Sequence, residues 1–335
     1  MAEKKNGGFR TSIGGQALIE GILMRGPEKQ AIVVRDQEGK LVEKVEELRL
    51  IKDKHPILGV PLIRGTVNFL AAMVNGVKAL MYSADFYPDD EAAQPSKFDL
   101  WLEQHLSSKK LESAVVGLSV VLGVGMSILL FLVLPTLLTG AVLHFFPNFP
   151  LWGRNVMEGL LKILIFLLYL FLCSRLKDIH RVFQYHGAEH KTIHCYEAGL
   201  PLTVENVQKF SRLHPRCGTN FLLIVMLVSI FVFAFLGWPS LAERIASRIL
   251  LLPVVAGISY EIIRLAGRSE NPIIQTAIKP GLWLQYLTTR PPEDDMVAVA
   301  IESLKAVLPE EEIIEGTVDY RHAEGPLPKP IEIVP

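Results

Sequence analysis

Five of the nine histidines in this 335-residue chain fall between Ser174 and Cys217, where even scatter would leave about one. Three of them, His186, His190 and His194, are spaced four apart. At about 100° per residue these three and Glu197 share a helical face roughly 80° wide, with Glu189 at its edge. Neutral imidazole is a common zinc ligand, so such a face can offer several donors to one ion. His186-Gly-Ala-Glu-His190 also fits the inverted zincin pattern, in which two histidines hold zinc and a carboxylate serves as general base toward water. His186 and His190 are thus candidate metal ligands, and Glu189 is the candidate catalytic residue. His214-Pro-Arg-Cys217 supplies two further donors three apart. With His194-Cys195 they would make a closed two-histidine, two-cysteine structural site, whereas catalysis needs an open coordination position. The bland alternative is an amphipathic helix with solvated histidines, the better account of the isolated His180.

The elements holding these groups are a helix and its flanking apolar runs. Residues 175–198 alternate charged and apolar positions until Gly199 and Pro201 stop the helix. Half of all residues are hydrophobic, mean hydropathy is +0.32, and the apolar residues are clumped. No charge occurs from Ser113 to Gly153 or from Cys217 to Ala242. Each run exceeds the roughly 20 helical residues that cross a hydrocarbon core. The expected fold is therefore a mainly α membrane protein with about four transmembrane helices, an N-terminal β-hairpin-containing cytoplasmic segment and a His-rich cytoplasmic loop helix. The spans are placed at Ala114–Leu138, Val156–Cys173, Phe221–Trp238 and Ile249–Ile263. Glu158 and Lys162 form a helical pair in the second. Glu261, in the fourth, is costly there unless paired, either with Arg264 or as a further metal ligand.

Lysine and arginine number 16 in residues 1–113, 7 in the 174–217 loop and 7 in the 264–335 tail. With four crossings all three segments share one side, so the positive-inside rule puts both termini in the cytoplasm of a multi-pass inner (plasma) membrane protein. Residues 1–55 form the N-terminal segment, with Ala31–Arg35 and Leu41–Glu47 paired as a hairpin across Asp36-Gln-Glu-Gly39. Within 56–112, residues 61–82 make an amphipathic helix, interfacial or re-entrant, and 85–112 a charged linker. Residues 113–173 hold the first two spans, 174–217 the His-rich loop, and 218–266 the third and fourth. The cytoplasmic segment 267–308 has a helical pattern over Pro291–Leu308, and the Glu- and Pro-rich residues 309–335 are expected to be disordered. Three cysteines are too few for a disulfide framework, and a net charge of −1 leaves no DNA-binding footprint. The lipid bilayer is the one partner that composition implies.

The stretch Gly14–Pro27, with glycines at 14, 15, 21 and 26, suggests tight turns and close backbone approach. It lacks the Gly-Lys-Ser/Thr ending of a phosphate loop. Together, GGQALIEGILMRGP at 14–27, YHGAEHKTIHCYE at 185–197 and HPRCGTNFL at 214–222 resemble the YqhQ-like family of bacterial membrane proteins. That family carries a domain of unknown function labelled as a predicted metal-dependent enzyme. The resemblance covers most of residues 10–305 and implies a metal site at His186, Glu189, His190, His194, His214 and Cys217, without implying a substrate.

Two functions follow as expectations. One is a zinc-dependent, hydrolase-like enzyme at the cytoplasmic membrane face, with His186 and His190 as ligands and His194, His214 or Glu261 completing the set. The other is a non-enzymatic accessory factor that contacts the membrane-protein insertion machinery, its loop stapled by a structural metal or by none. A transporter is disfavoured, because few charged groups lie in the spans.

Overall fold

The computed structural model describes residues 9, 11–48, 56–87, 108–237, 240–266, 271, 276 and 279–321. The chain divides into two compact units, one formed by residues 1–87, 170–228 and 252–335, the other by 88–169 and 229–251.

The first unit is built on a four-stranded antiparallel sheet of β1 (Gly14–Leu18), β2 (Gly21–Arg25), β3 (Lys29–Arg35) and β4 (Leu41–Glu47), in that order. The expected hairpin is β3–β4, with Arg35 opposite Leu41 and Gly39 at φ 84° in its loop. The glycine-rich stretch, expected to make tight turns and close backbone approaches, forms the β1–β2 hairpin. Both faces of the central strands β2 and β3 are covered. Ile22, Met24, Ala31 and Val33 pack with residues of helices α5 (Lys177–Glu197) and α10 (Asp294–Lys305). Leu23, Ile32 and Val34 turn the other way, with Leu18, onto Ala79 and Tyr82 of helix α1 (Ile63–Ala84). Side chains alternate faces along a strand, so a doubly covered strand is apolar at every position and loses its period of two.

Every residue of α10 from Asp295 to Leu304 is buried, so this C-terminal helix is a core element. Residues 309–321, expected to be disordered, instead pack on the core. Tyr196 Oη donates to Glu312 (3.2 Å), Leu202 N–H to Thr317 Oγ1 (3.0 Å) and Val204 N–H to Tyr320 Oη (3.0 Å). Residues 322–335 and most of the expected 85–112 linker lie outside the described residues.

Glu20, in the two-residue turn between β1 and β2, has φ 47°. Its carboxylate accepts hydrogen bonds from Arg181 (2.5 and 2.7 Å), Arg35 (2.6 Å) and the Tyr185 hydroxyl (3.0 Å). Arg35 also reaches Asp295 of α10, which ties turn, sheet, α5 and α10 together. Burial alone would raise the Glu20 pKa, but the hydrogen bonds and charges of Arg181 and Arg35 hold it below 4.5.

Among the described residues, three helices are long and apolar enough to cross a membrane. The first is Gly117–Phe145, where α2 (Ser108–Ile128) runs through a π-helical turn into α3 (Leu134–Phe145). The others are α4 (Leu151–Cys173) and α8 (Leu241–Ala266). Helix α7 (Gly218–Ala234), where a third span was expected up to Trp238, has 17 residues; Trp238 lies outside the described residues. Helix α8 starts eight residues before the expected Ile249, so Arg244 and Arg248 belong to the helix and not to a connection. In the second unit Glu158 pairs with Arg248 and accepts from Thr136 Oγ1 (2.7 Å); its expected helical partner Lys162 lies over the Phe233 ring, 5.2 Å from its centre. A planar guanidinium meets a buried carboxylate with two hydrogen bonds, which a lysine cannot do.

Short helices complete the first unit: α6 (Val204–Gln208), capped by Thr203, and α9 (Lys279–Thr288). A Cβ on Gly187 of α5 would strike the carbonyl oxygen of Arg290. Gly187→Ala is therefore expected to destabilise the fold by about 1–3 kcal/mol or more. Gly14→Ala, with nothing within 4 Å of the added carbon, should be neutral in the same thermal unfolding measurement. Because Glu20 is depressed in the fold, its contribution is present above pH 4.5 and is lost as pH falls through its lower folded value. Acid unfolding of Glu20→Gln should show a shallower fall below pH 4.5 than the wild type; identical slopes would remove Glu20 from the account.

Candidate metal centre

Helix α5 presents His186, Glu189, His190 and His194 toward β1, the 209–217 loop and the end of α9. His186 Nδ1 lies 2.9 Å from the Thr288 carbonyl, and His190 Nδ1 lies 2.6 Å from the Arg212 carbonyl. A carbonyl only accepts, so both Nδ1 atoms carry the proton and both Nε2 atoms keep a lone pair. His186 Nε2 is 3.2 Å from Cys217 Sγ. One donor atom from each of His186, His190 and Cys217 lies within 4.8 Å of the other two. Cys217 stands immediately before α7, where the Thr219 N–H donates to its sulfur at 3.3 Å.

His194, Glu197 and His214 form a second group with the same spacing, but its members are already engaged. Glu197 accepts from Thr11 N–H (2.7 Å), Thr11 Oγ1 (3.0 Å) and Arg216, and so latches the N-terminal segment onto α5. His194 Nε2 donates to the Leu213 carbonyl at 3.0 Å. His214 Nε2 accepts from Arg216 at 3.2 Å, while its backbone exchanges two 2.7 Å hydrogen bonds with Gln285. Burial, then the neighbouring His190 and His194, push the His214 pKa down to about 2. Burial and then His186 lower that of His190, so both rings are neutral.

The closed two-histidine, two-cysteine site does not assemble. Cys195 is one residue from His194, about 100° around the helix. It points into the hydrophobic core, where burial pushes its thiol up to about 11. Glu261 is likewise absent from both groups. It receives Arg64 of α1 in a two-point pair (2.7 and 2.5 Å), since α1 packs on α8 where Gly65 meets Tyr260 and Gly257 meets the Leu62 carbonyl. Its partner is thus Arg64, where Arg264 was expected.

Glu189 is buried, and its two oxygens differ. Oε1 accepts the Gly15 N–H at 2.8 Å, whereas Oε2 is buried with no hydrogen-bond partner among the described residues. Burial raises its pKa, against lowering by His186 and the Gly15 N–H. A cavity of about 440 Å³ is lined by Glu189, His186 and Cys217 together with Gly15, Arg25 and Asn75. A Cβ on Gly15 would sit 2.6 Å from the Leu23 carbonyl and 3.0 Å from Glu189 Cδ, so only glycine brings the strand amide to the carboxylate. The Thr288 and Arg212 carbonyls that fix the two tautomers left no signal in the sequence, because any residue type supplies a carbonyl. The Gly14-Gly15 doublet did announce close approach.

A buried carboxylate with an unmet oxygen opposes folding. Glu189→Gln should therefore be at least as stable as the wild type in thermal unfolding. A loss of more than about 1 kcal/mol would mean that the charge is a structural anchor.

Comparison with known proteins gives one family and one close relative. The family model described as "Protein of unknown function (DUF1385)" matches residues 60–310. "Uncharacterized protein YqhQ" of Bacillus subtilis (strain 168) is 37% identical over 320 residues, covering 92% of this chain and 96% of the relative. No solved structure matches. With that family match over most of its length and that relative over nearly all of it, the chain belongs to the YqhQ-like DUF1385 family.

Proposed function

We propose that this protein is a metal-dependent, hydrolase-like integral membrane enzyme working at the cytoplasmic face, with zinc as its divalent metal. The observation that carries this is the convergence of His186 Nε2, His190 and Cys217, with both imidazoles held in the ligating tautomer, beside a buried carboxylate whose second oxygen is unmet. Two imidazole nitrogens and a sulfur suit zinc and leave a fourth position open, as catalytic sites require. Zinc held there would act as a Lewis acid toward a carbonyl or phosphoryl oxygen. Glu189 is fixed at Oε1 by Gly15, so Oε2 is the oxygen that would take a proton from a water admitted beside it and return it to the leaving group. His214 packs against the His190 ring and His194 against that of His214, so the two support the placement of His190 without ligating.

Ala72 and Asn75 of α1 form part of the cavity wall, and Leu70, Met73 and Val74 of the same helix are exposed. An amphipathic helix of this kind lies in a membrane interface, which favours a lipid-linked or membrane-embedded substrate. At about 1.5 Å per residue α7 extends roughly 26 Å, enough for a fourth crossing of a slightly thinned bilayer. Four crossings keep both termini and the site in the cytoplasm of an inner-membrane protein. The rival, an accessory factor for membrane-protein insertion, draws on the same exposed stripe of α1 and needs no open coordination position.

Elemental analysis of the detergent-purified protein tests the proposal. About one zinc per chain is expected in the wild type and in Glu189→Gln, and none in the His186→Ala, His190→Ala double variant. Loss of biological function in Glu189→Gln with metal retained supports the enzyme; tolerance of it together with collapse of Cys217→Ser supports the stapled accessory factor. No metal in any of the three proteins sinks both metal readings.

A further inference from the structure

A second cavity, of about 540 Å³, uses none of the residues of the metal centre. It is lined by Ser174, Arg175, Lys177, His180, Arg181 and Arg290, so four cations and a histidine face it with no carboxylate among them. Arg181 is neutralised by Glu20, and the Arg175 guanidinium lies over the Phe171 ring, 4.7 Å from its centre. Arg290 arrives from a different part of the chain on a fixed backbone. Its N–H donates to the Phe183 carbonyl at 2.8 Å, and its own carbonyl is packed against Gly187. Its Nη1 reaches the Tyr286 carbonyl at 3.2 Å, but its Nε is buried and has no partner among the described residues. A rigidly delivered guanidinium with an unmet N–H at a basic cavity lacks an anion.

Two further features agree. Lys177 begins α5, whose N-cap position is Leu176, a residue with no side-chain oxygen to cap the first-turn amides. Such a terminus attracts negative charge, partly offset here by Asp178 in the same turn. Ser174 directly follows Cys173, the last residue of the long apolar helix α4, so a membrane containing α4 would bring its head-group layer to this cavity.

We propose that this cavity is a phosphate-binding site, with Arg175, Lys177 and Arg290 as its cations and His180 as a supplementary donor. The phosphate is either that of an anionic phospholipid head group or a free phosphate ion.

Thermal unfolding of the full-length protein in a non-ionic detergent separates these sources. The probes are short-chain phosphatidylglycerol, short-chain phosphatidylcholine and inorganic phosphate, each titrated against the wild type and the Arg175→Gln, Lys177→Gln, Arg290→Gln triple variant. Stabilisation by phosphatidylglycerol at a concentration at least tenfold below that needed for phosphatidylcholine assigns the head group. Stabilisation by inorganic phosphate alone assigns the free ion. Either effect must weaken at least tenfold in the triple variant and at least threefold in Lys177→Gln, whose exposed side chain keeps the test valid if the triple variant does not fold. No stabilisation by any probe, equal effects of the two lipids without an effect of phosphate, or an unchanged response in Lys177→Gln overturns the site.

Discussion

Burying a helix as polar as α5 sets one condition on the rest of the fold: each of its polar side chains must be met by something as it leaves water. The first unit can be understood as the set of elements that meet them. The β1–β2 turn supplies Glu20 to Arg181 and Tyr185, and the backbone of β1 supplies an N–H to Glu189. The end of α9 and the 209–217 loop supply carbonyls to His186, His190 and His194. Thr11 and Arg216 satisfy Glu197. Against this background Glu189 Oε2 and Thr192 Oγ1 are left without partners among the described residues, and one donor atom from each of His186, His190 and Cys217 lies within 4.8 Å of the other two.

What was legible in the sequence followed from local rules. Histidines four apart on one face, the hairpin turn at 36–39, and uncharged apolar runs all declare themselves within a few turns or strands of chain. Illegible features depended on what lay across the fold. Strand β2 hid because its neighbours cover both its faces, which erases alternation, and β1 because Gly14, Gly15 and Gln16 present no apolar side chains to alternate. Pairing of Glu261 with Arg64 rather than Arg264 depends on two helices remote in sequence. The fate of Cys195 was in principle readable from the wheel, since a neighbour of a ligand on a helix cannot share its face; proximity in sequence was misleading there. The packed residues 309–321 were obscured by composition, because Glu- and Pro-rich segments dock well when a few apolar or hydroxyl side chains, such as Ile313 and Tyr320, find partners.

Charge inside the apolar helices follows the same rule as charge in the core. Glu158 and Arg248 neutralise one another through a two-point contact, and Thr136 satisfies a remaining lone pair. Buried pairs of this sort contribute little net stability, yet losing one partner strands the other. Their value lies in fixing which helix faces meet.

The first unit is assembled from three separate stretches of chain, and its last core element, α10, follows all the long apolar helices in the chain. The sheet thus leaves the ribosome with an apolar face that must wait for more than two hundred further residues before α10 covers it. Thr288, whose carbonyl orients His186, comes almost as late. The candidate centre accordingly cannot be complete until all the long apolar helices have been made. Translation order then ensures that these side chains converge only in a chain whose long apolar helices already exist, and a chain truncated before residue 288 would lack both the cover of the sheet and the carbonyl that orients His186.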